Sequence, residues 1–177
     1  MEEVTLRTKQ IYEGRIIKLS VLDVRLPDGN ESQRELVTHP GAVAMVALDE
    51  AKNVLMVRQF RTAANRIMLE IPAGTLHPGE DPFACAVREL QEETGYYPGK
   101  LEAMGGIYAA PGYTTEFIHL FYATELTESR LAHDDDEFIE VERVPLSEVV
   151  GMIESGVIAD GKSVSGLLRV IRRLEKA

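Results

Sequence analysis

The segment from Asp81 to Gly95 fixes more about this chain than any other stretch of its sequence. Asp81 is a good N-cap residue, Pro82 fits the first helical position, and Gly95 fits the left-handed cap at a helix end. Together they predict a helix over 82–94. Phe83, Ala86, Val87 and Leu90 fall within about 100° of arc around it, a narrow stripe that faces a core. The same helix carries Glu89 and Glu93, about 40° apart around the axis, with Glu92 a little further round and Glu80 just before the start. Arg88 is its one cation, placed to pair with Glu92 at i+4. Like charges at this spacing cost roughly 0.2–0.5 kcal/mol per pair. Two readings answer that cost: a solvated acidic face, or a seat for a hard divalent cation such as Mg²⁺, which takes oxygen ligands. The helix alone leaves both open.

Strand patterns surround this helix. Arg15 to Leu26 is rich in Ile, Leu and Val, Pro27-Asp28-Gly29-Asn30 makes a turn, and Glu31 to His39 returns as a second strand. Ala42 to Leu48 and Val54 to Phe60 read as a hairpin of two buried strands. Shorter strands are expected at Ile67 to Ile71, Leu101 to Tyr108, Phe117 to Thr124 and Phe138 to Val144. A terminal helix is expected from Ser163 to Lys176, with Val164, Leu167, Leu168, Ile171 and Leu174 at helical spacing, and a shorter one from Leu146 to Glu154. Strands and helices are intermixed, which implies an α/β fold with a mixed sheet between helices. The 177 residues suit one domain that buries a full core without staples. Residues 1–40 read as a strand arm and 41–177 as the main domain.

Charge narrows the function. The 29 acidic against 19 basic residues give a formal charge of -10. Non-specific nucleic-acid or anionic-membrane binding needs a positive surface and is not expected. A phosphate ligand is still compatible, because a bound cation reverses the local field. Cys85 is the sole cysteine, so no intrachain disulfide forms, which fits a reducing compartment. The chain begins Met1-Glu2-Glu3 without a basic leader, and its longest apolar stretch, Gly41 to Leu48, is far too short to span a bilayer. These features predict a cytoplasmic protein. His39, His77, His119 and His133 make no metal-ligand spacing, and hard cations prefer oxygen.

The pattern around the helix separates its two readings. Gly74, five residues, Glu80, seven residues, then Arg88-Glu89-Leu90-Gln91-Glu92-Glu93-Thr94-Gly95-Tyr96 resembles the Nudix box without a departure. A chance match in a chain of this composition is on the order of 10⁻⁶. A loop opening at Gly74 lets backbone approach a ligand closely, and the helix delivers carboxylates to one spot. The resemblance implies a Nudix-type α/β/α sandwich in which Glu89 and Glu93 bind Mg²⁺ or Mn²⁺, often with Glu92 and the carbonyl of Ala73. It also implies that Arg88 holds the glutamates by ion pairing and that Glu80 supports the loop. The implied reaction is hydrolysis of a nucleoside diphosphate linked to another group.

Similarity extends beyond the box. Arg58-Gln59-Phe60-Arg61, Leu69-Glu70-Ile71-Pro72-Ala73-Gly74, Ala110-Pro111-Gly112-Tyr113-Thr114-Thr115-Glu116 and the acidic stretch Asp134 to Val141 look like the bacterial ADP-ribose pyrophosphatase subgroup. By that resemblance Arg58, Arg61 and Glu116 contact the ligand or order its pocket, arginine being suited to phosphate by its two-pronged donation. Glu70 is either a fourth such contact or an ordinary edge-strand carboxylate. The resemblance further implies that the acidic stretch supplies a general base at Asp135, where the subgroup usually has glutamate, and a further metal ligand at Glu137. The shorter Asp135 leaves Glu137 and Glu92 as alternative bases. The subgroup resemblance implies ADP-ribose cleaved to AMP and ribose 5-phosphate, and a homodimer packed through the strand arm. The alternatives are another nucleoside diphosphate sugar, such as ADP-glucose or GDP-mannose, and an ADP-ribose-binding module without turnover.

Overall fold

The computed structural model describes residues 1–132 and 138–176. The chain divides into two compact units, one formed by Met1–Gly41 with Tyr108–Phe117 and the other by Ala42–Ile107 with the chain from Ile118 onward.

The first unit is a three-stranded antiparallel sheet in the order β1 (Val4–Glu13), β2 (Lys18–Arg25), β3 (Glu31–Thr38). The expected turn closes the second hairpin: Leu26 donates its N–H to the Asn30 carbonyl at 2.8 Å, and the Asp28 carboxylate accepts from the Asn30 N–H at 3.0 Å. β1 has no separate signal in the sequence, because it is exposed at every position and its alternation buries nothing within this unit. The segment 108–117 joins β3 through main-chain bonds, Val37 N–H to the Tyr113 carbonyl at 2.7 Å and Thr115 N–H to the Val37 carbonyl at 3.0 Å. No pattern in the sequence tied it to the first forty residues.

The second unit is built on a mixed sheet. Its strands are β4 (Ala42–Leu48), β5 (Asn53–Arg61), β6 (Arg66–Glu70), β7 (Ala73–Thr75), β8 (Tyr96–Tyr108), β9 (Phe117–Glu128) and β10 (Glu140–Pro145). The central order is β10-β5-β4-β9-β8, with β6 on β5 and β7 on β4. β4 runs parallel to β9, whereas its pairings with β5 and β7 are antiparallel. The helices are α1 (Pro82–Thr94), α2 (Val149–Glu154) and α3 (Gly161–Leu174).

Every residue of β4 is buried, and successive side chains of a strand point to opposite faces. Val43, Met45 and Ala47 pack with Cys85, Ala86 and Leu90 of α1. Ala44, Val46 and Leu48 pack with Val149 of α2 and with Leu167 and Val170 of α3. One seven-residue run thus floors two cores and places helices on both faces, the α/β/α sandwich that the sequence predicts.

Several boundaries differ from expectation for local reasons. α1 starts after Asp81, whose carboxylate accepts from the Ala84 N–H, and ends at Gly95 with φ 79°. Its buried face, however, is Cys85, Ala86, Glu89, Leu90, Glu93 and Thr94, while Phe83 is 46% exposed and Val87 is half-buried. The apolar stripe predicted from Phe83 and Val87 is therefore rotated, and it takes in two of the glutamates. α3 begins at Gly161, not Ser163, because Asp160 caps it by accepting from the Ser163 N–H. α2 begins at Val149, after a turn over 146–148. β8 starts at Tyr96, well before Leu101. Among the described residues no helix is long and apolar enough to cross a membrane.

Candidate active site

The chain from Ile71 to Thr75 leaves β6 and takes in β7, and three of its successive residues are each bonded to a different element. Ile71 N–H donates to the Ser163 Oγ of α3 at 2.9 Å. The Pro72 carbonyl accepts from the Met45 N–H of β4 at 2.9 Å. Ala73 N–H donates to Glu93 Oε2 of α1 at 2.9 Å. Gly74 follows, and a side chain there has no room: an added Cβ would lie 1.8 Å from the Glu89 Cδ. The close approach that a glycine permits at this position is thus made by a carboxylate of the protein itself.

Glu89 and Glu93 are 9% and 3% exposed. A solvated acidic face is not what the fold makes of them. Arg88 ties the acidic residues together. Its Nη1 donates to Glu89 Oε1 at 2.7 Å and to Glu92 Oε2 at 2.9 Å. Its Nε and Nη2 each donate to Glu80 at 3.0 Å, a two-pronged pair, and Nη2 also reaches Cys85 Sγ at 3.3 Å. All three guanidinium nitrogens are committed to protein groups, so Arg88 organises carboxylates. Glu80 also accepts from the His77 N–H at 2.9 Å. The Arg88 bonds, against a smaller opposing effect of burial, hold the Glu80 carboxyl down to about 2 from an ordinary 4.5. Arg88 itself is raised, chiefly by its bond to Glu80. Burial pushes the Cys85 thiol up to about 12.

A second network lies at the β5–β6 end. Glu70 is 2% exposed, and its oxygens accept from Arg61 Nε at 3.1 Å, Arg61 Nη2 at 2.7 Å and Lys162 Nζ at 2.6 Å. Lys162 also donates to Asp160 Oδ1 at 2.9 Å. Burial opposes the charge on Glu70, yet the Arg61 bonds and the Lys162 charge outweigh it and hold the carboxyl below its ordinary range. Glu70 is therefore no ordinary edge-strand carboxylate. Arg58 pairs instead with Glu142, across the β5–β10 edge. Glu116 belongs to the first unit, where its N–H donates to Thr114 Oγ1 at 3.2 Å. Asp135 and Glu137 lie outside the described residues.

Comparison with known proteins agrees with this geometry. A NUDIX domain model matches residues 38–166, and a nucleoside diphosphate sugar hydrolase N-terminal domain model matches residues 3–37. The chain belongs to the Nudix hydrolase family. It is 44% identical over 165 residues to a Bacillus subtilis ADP-ribose pyrophosphatase, covering 92% of this chain and 89% of that protein. A Bacillus methanolicus methanol dehydrogenase activator is 43% identical, with the same coverage. The crystal structure of an ADP compounds hydrolase superposes with a TM-score of 0.90 at 22% identity, covering 99% of this chain and 96% of that one, and thus shares its fold.

Nudix hydrolases generally use divalent metal ions. The residues of this Nudix helix fit such an ion: Glu89 and Glu93 are hard oxygen donors on one buried face, and a hard cation is commonly held by one or two carboxylates plus substrate phosphates. Among the described residues no group of three or more His, Cys, Asp and Glu side chains is arranged to hold a metal by itself. Of the residues singled out by sequence, the fold brings Ala73, Arg88, Glu89, Glu92 and Glu93 together around α1, and Arg61 and Glu70 around the end of β6. Lys162, Asp160, Ser163 and Glu142 had no signal of their own, since each meets its partner only through tertiary structure.

Two measurements check this arrangement. Gly74→Ala forces the Glu89 carboxylate aside, so affinity for a divalent cation, measured by calorimetry on protein that circular dichroism shows to be folded, is expected to fall by about 10–100-fold. Unchanged affinity would refute the close approach. For Glu80, a folded pKa of about 2 against an ordinary 4.5 means its contribution is complete above about 4.5 and vanishes towards 2. Metal-free Glu80→Gln should therefore melt below the wild type at pH 7, and the gap should close as pH falls through that window.

Proposed function

We propose that this chain hydrolyses ADP-ribose to AMP and ribose 5-phosphate. The observation that carries the reading is the pair of buried box carboxylates, Glu89 and Glu93, in a chain so similar to an ADP-ribose pyrophosphatase. The oxygen of a water molecule bonds to one phosphorus while the anhydride P–O bond breaks, and the departing phosphate takes up a proton.

Glu89, Glu93 and the Ala73 carbonyl are the proposed ligands of a divalent cation, with Glu92 and Glu137 assisting. When bound, such an ion, Mg²⁺ with Mn²⁺ as the alternative, neutralises the diphosphate and lowers the pKa of the attacking water. Arg88 keeps Glu89 and Glu92 in place. Arg61 and Arg58 are 40% and 41% exposed at the side chain, which leaves them open to phosphate oxygens in addition to their carboxylate partners. A carboxylate accepts the proton of the water: Asp135, Glu137 or Glu92. At saturating divalent cation, replacing the true base by its amide should lower kcat by about 10²–10⁴-fold without changing cation affinity, which separates it from a carboxylate that acts as a metal ligand.

The primary test compares turnover of ADP-ribose with that of ADP-glucose, GDP-mannose and NADH, with Glu93→Gln as the blank. ADP-ribose is expected to lead by more than about tenfold in kcat/KM, and the variant to lose more than the roughly 10–100-fold typical of an outer-shell partner. A lead for another nucleotide sugar would replace the substrate and keep the chemistry. Binding without turnover would replace the enzyme by a sensor.

A cytoplasmic homodimer completes the reading. The buried reduced Cys85 suits the cytoplasm. β1 leaves Val4, Leu6, Ile11 and Tyr12 exposed, an apolar surface that a second copy of the chain would cover. Light scattering should give twice the 19.7 kDa of one chain, and a monomer mass at all concentrations would sink the dimer.

A further inference from the structure

The network at the end of β6 contains more than a ligand-binding arginine needs. A surface arginine fixed by one carboxylate is already oriented. Here the carboxylate is 2% exposed and shared by two cations, and the second, Lys162, is itself only 13% exposed. Lys162 is the second residue of α3, far from Glu70 in sequence, and it also holds Asp160, the cap of that helix. Asp160 Oδ2 is buried and has no hydrogen-bond partner among the described residues. The four groups Arg61, Lys162, Glu70 and Asp160 balance in charge, two cations against two carboxylates.

Arg61 uses Nε and Nη2 on Glu70, and its Nη1 bonds to none of the described residues. The guanidinium also lies within the electrostatic reach of Glu93 and Asp160. Its free nitrogen is thus available in the neighbourhood of the box glutamates. Without the lysine, Arg61 would be the sole cation facing the buried Glu70 and the partly buried Asp160, whose Oδ2 has no hydrogen-bond partner among the described residues. A carboxylate that loses its cation draws the nearest remaining one, so the guanidinium would be pulled to serve both. The nitrogen now free would be spent on Asp160.

We infer that Lys162 is a positioning residue for substrate binding: by neutralising Glu70 and Asp160 together, it keeps Arg61 Nη1 free for a diphosphate oxygen. This rests on the proposed hydrolysis of ADP-ribose. It assigns to the first turn of α3 a part in recognition, although Lys162 itself touches no ligand. The effect belongs to binding, because Arg61 meets the diphosphate before reaction as well as during it. KM should therefore rise while kcat holds.

The test has a ligand-free and a kinetic arm. In ¹⁵N-labelled protein without substrate, the Arg61 Nε–H signal, assigned by its loss in Arg61→Lys, should shift in Lys162→Met and keep its position in Lys162→Arg. With ADP-ribose, Lys162→Met should raise KM about tenfold and change kcat by less than about threefold, and Lys162→Arg should restore KM. In an Arg61→Lys background the same Lys162→Met change should move KM by less than about twofold, since its effect runs through Arg61. Lys162→Gln still donates to Glu70 but lacks the charge, so it carries the same expectation if the methionine variant does not fold. An unmoved Arg61 signal, an unchanged KM, or an equal rise of KM in the Arg61→Lys background would each overturn the inference. If the wild type does not cleave ADP-ribose, the functional proposal fails, and the ligand-free signal still decides whether Lys162 positions Arg61.

Discussion

A carboxylate withdrawn from water has to be held by partners or it gives up its charge, and α1 keeps two of them on its buried face. Much of the local architecture answers that demand. Gly74 has no side chain because the Glu89 carboxylate occupies the space, and Ala73 turns its N–H to Glu93. Arg88 gathers Glu80, Glu89 and Glu92 with donors from all three of its nitrogens. Glu80 in turn fixes Arg88 from the loop before the helix, so that the cation cannot follow one glutamate and abandon another. The cluster sets one cation against four carboxylates, a net negative assembly tied together by these bonds.

β4 sets where that assembly sits. Its alternating residues seat α1 on one face and α2 with α3 on the other. The loop after β6 is then bonded to both layers and to the strand between them, through Ser163, Met45 and Glu93. Any shift of α3 against the sheet reaches Ala73 by two residues of backbone. This is how an element without a box residue gains influence over the box, and it gives a physical frame to the proposed role of Lys162.

The fold was legible where the determinants are local. Asp81, Pro82 and Gly95 delimit α1 as their capping chemistry requires, and the unbroken apolar run 42–48 marks β4 at its observed limits. Legibility ends where partners are distant. Periodicity placed Phe83 and Val87 on the core face because it scores a glutamate as polar, whereas Glu89 and Glu93 are buried by contacts from residues 73–74 and Arg88. Glu70 meets Lys162 across 92 residues, and Arg58 meets Glu142 across 84. No window of sequence contains either pair. β7, with three residues, is shorter than any pattern can mark, and β1 hides because its surface is exposed on both faces.

Cys85 gives the helix a built-in gauge. Its thiol is fully buried on the face of α1 that meets β4, within reach of an Arg88 nitrogen, and deprotonates only near 12. A thiol in that state is inert to alkylating and oxidising agents, because the reactive species is the thiolate and no reagent reaches it. It becomes reactive only when α1 lifts from the sheet, and that same movement takes Glu89 and Glu93 away from Gly74 and Ala73. The rate at which this one sulfur can be labelled therefore counts the moments when the box glutamates leave the loop at 73–74. Chemical damage to the thiol and release of those glutamates are two outcomes of a single opening.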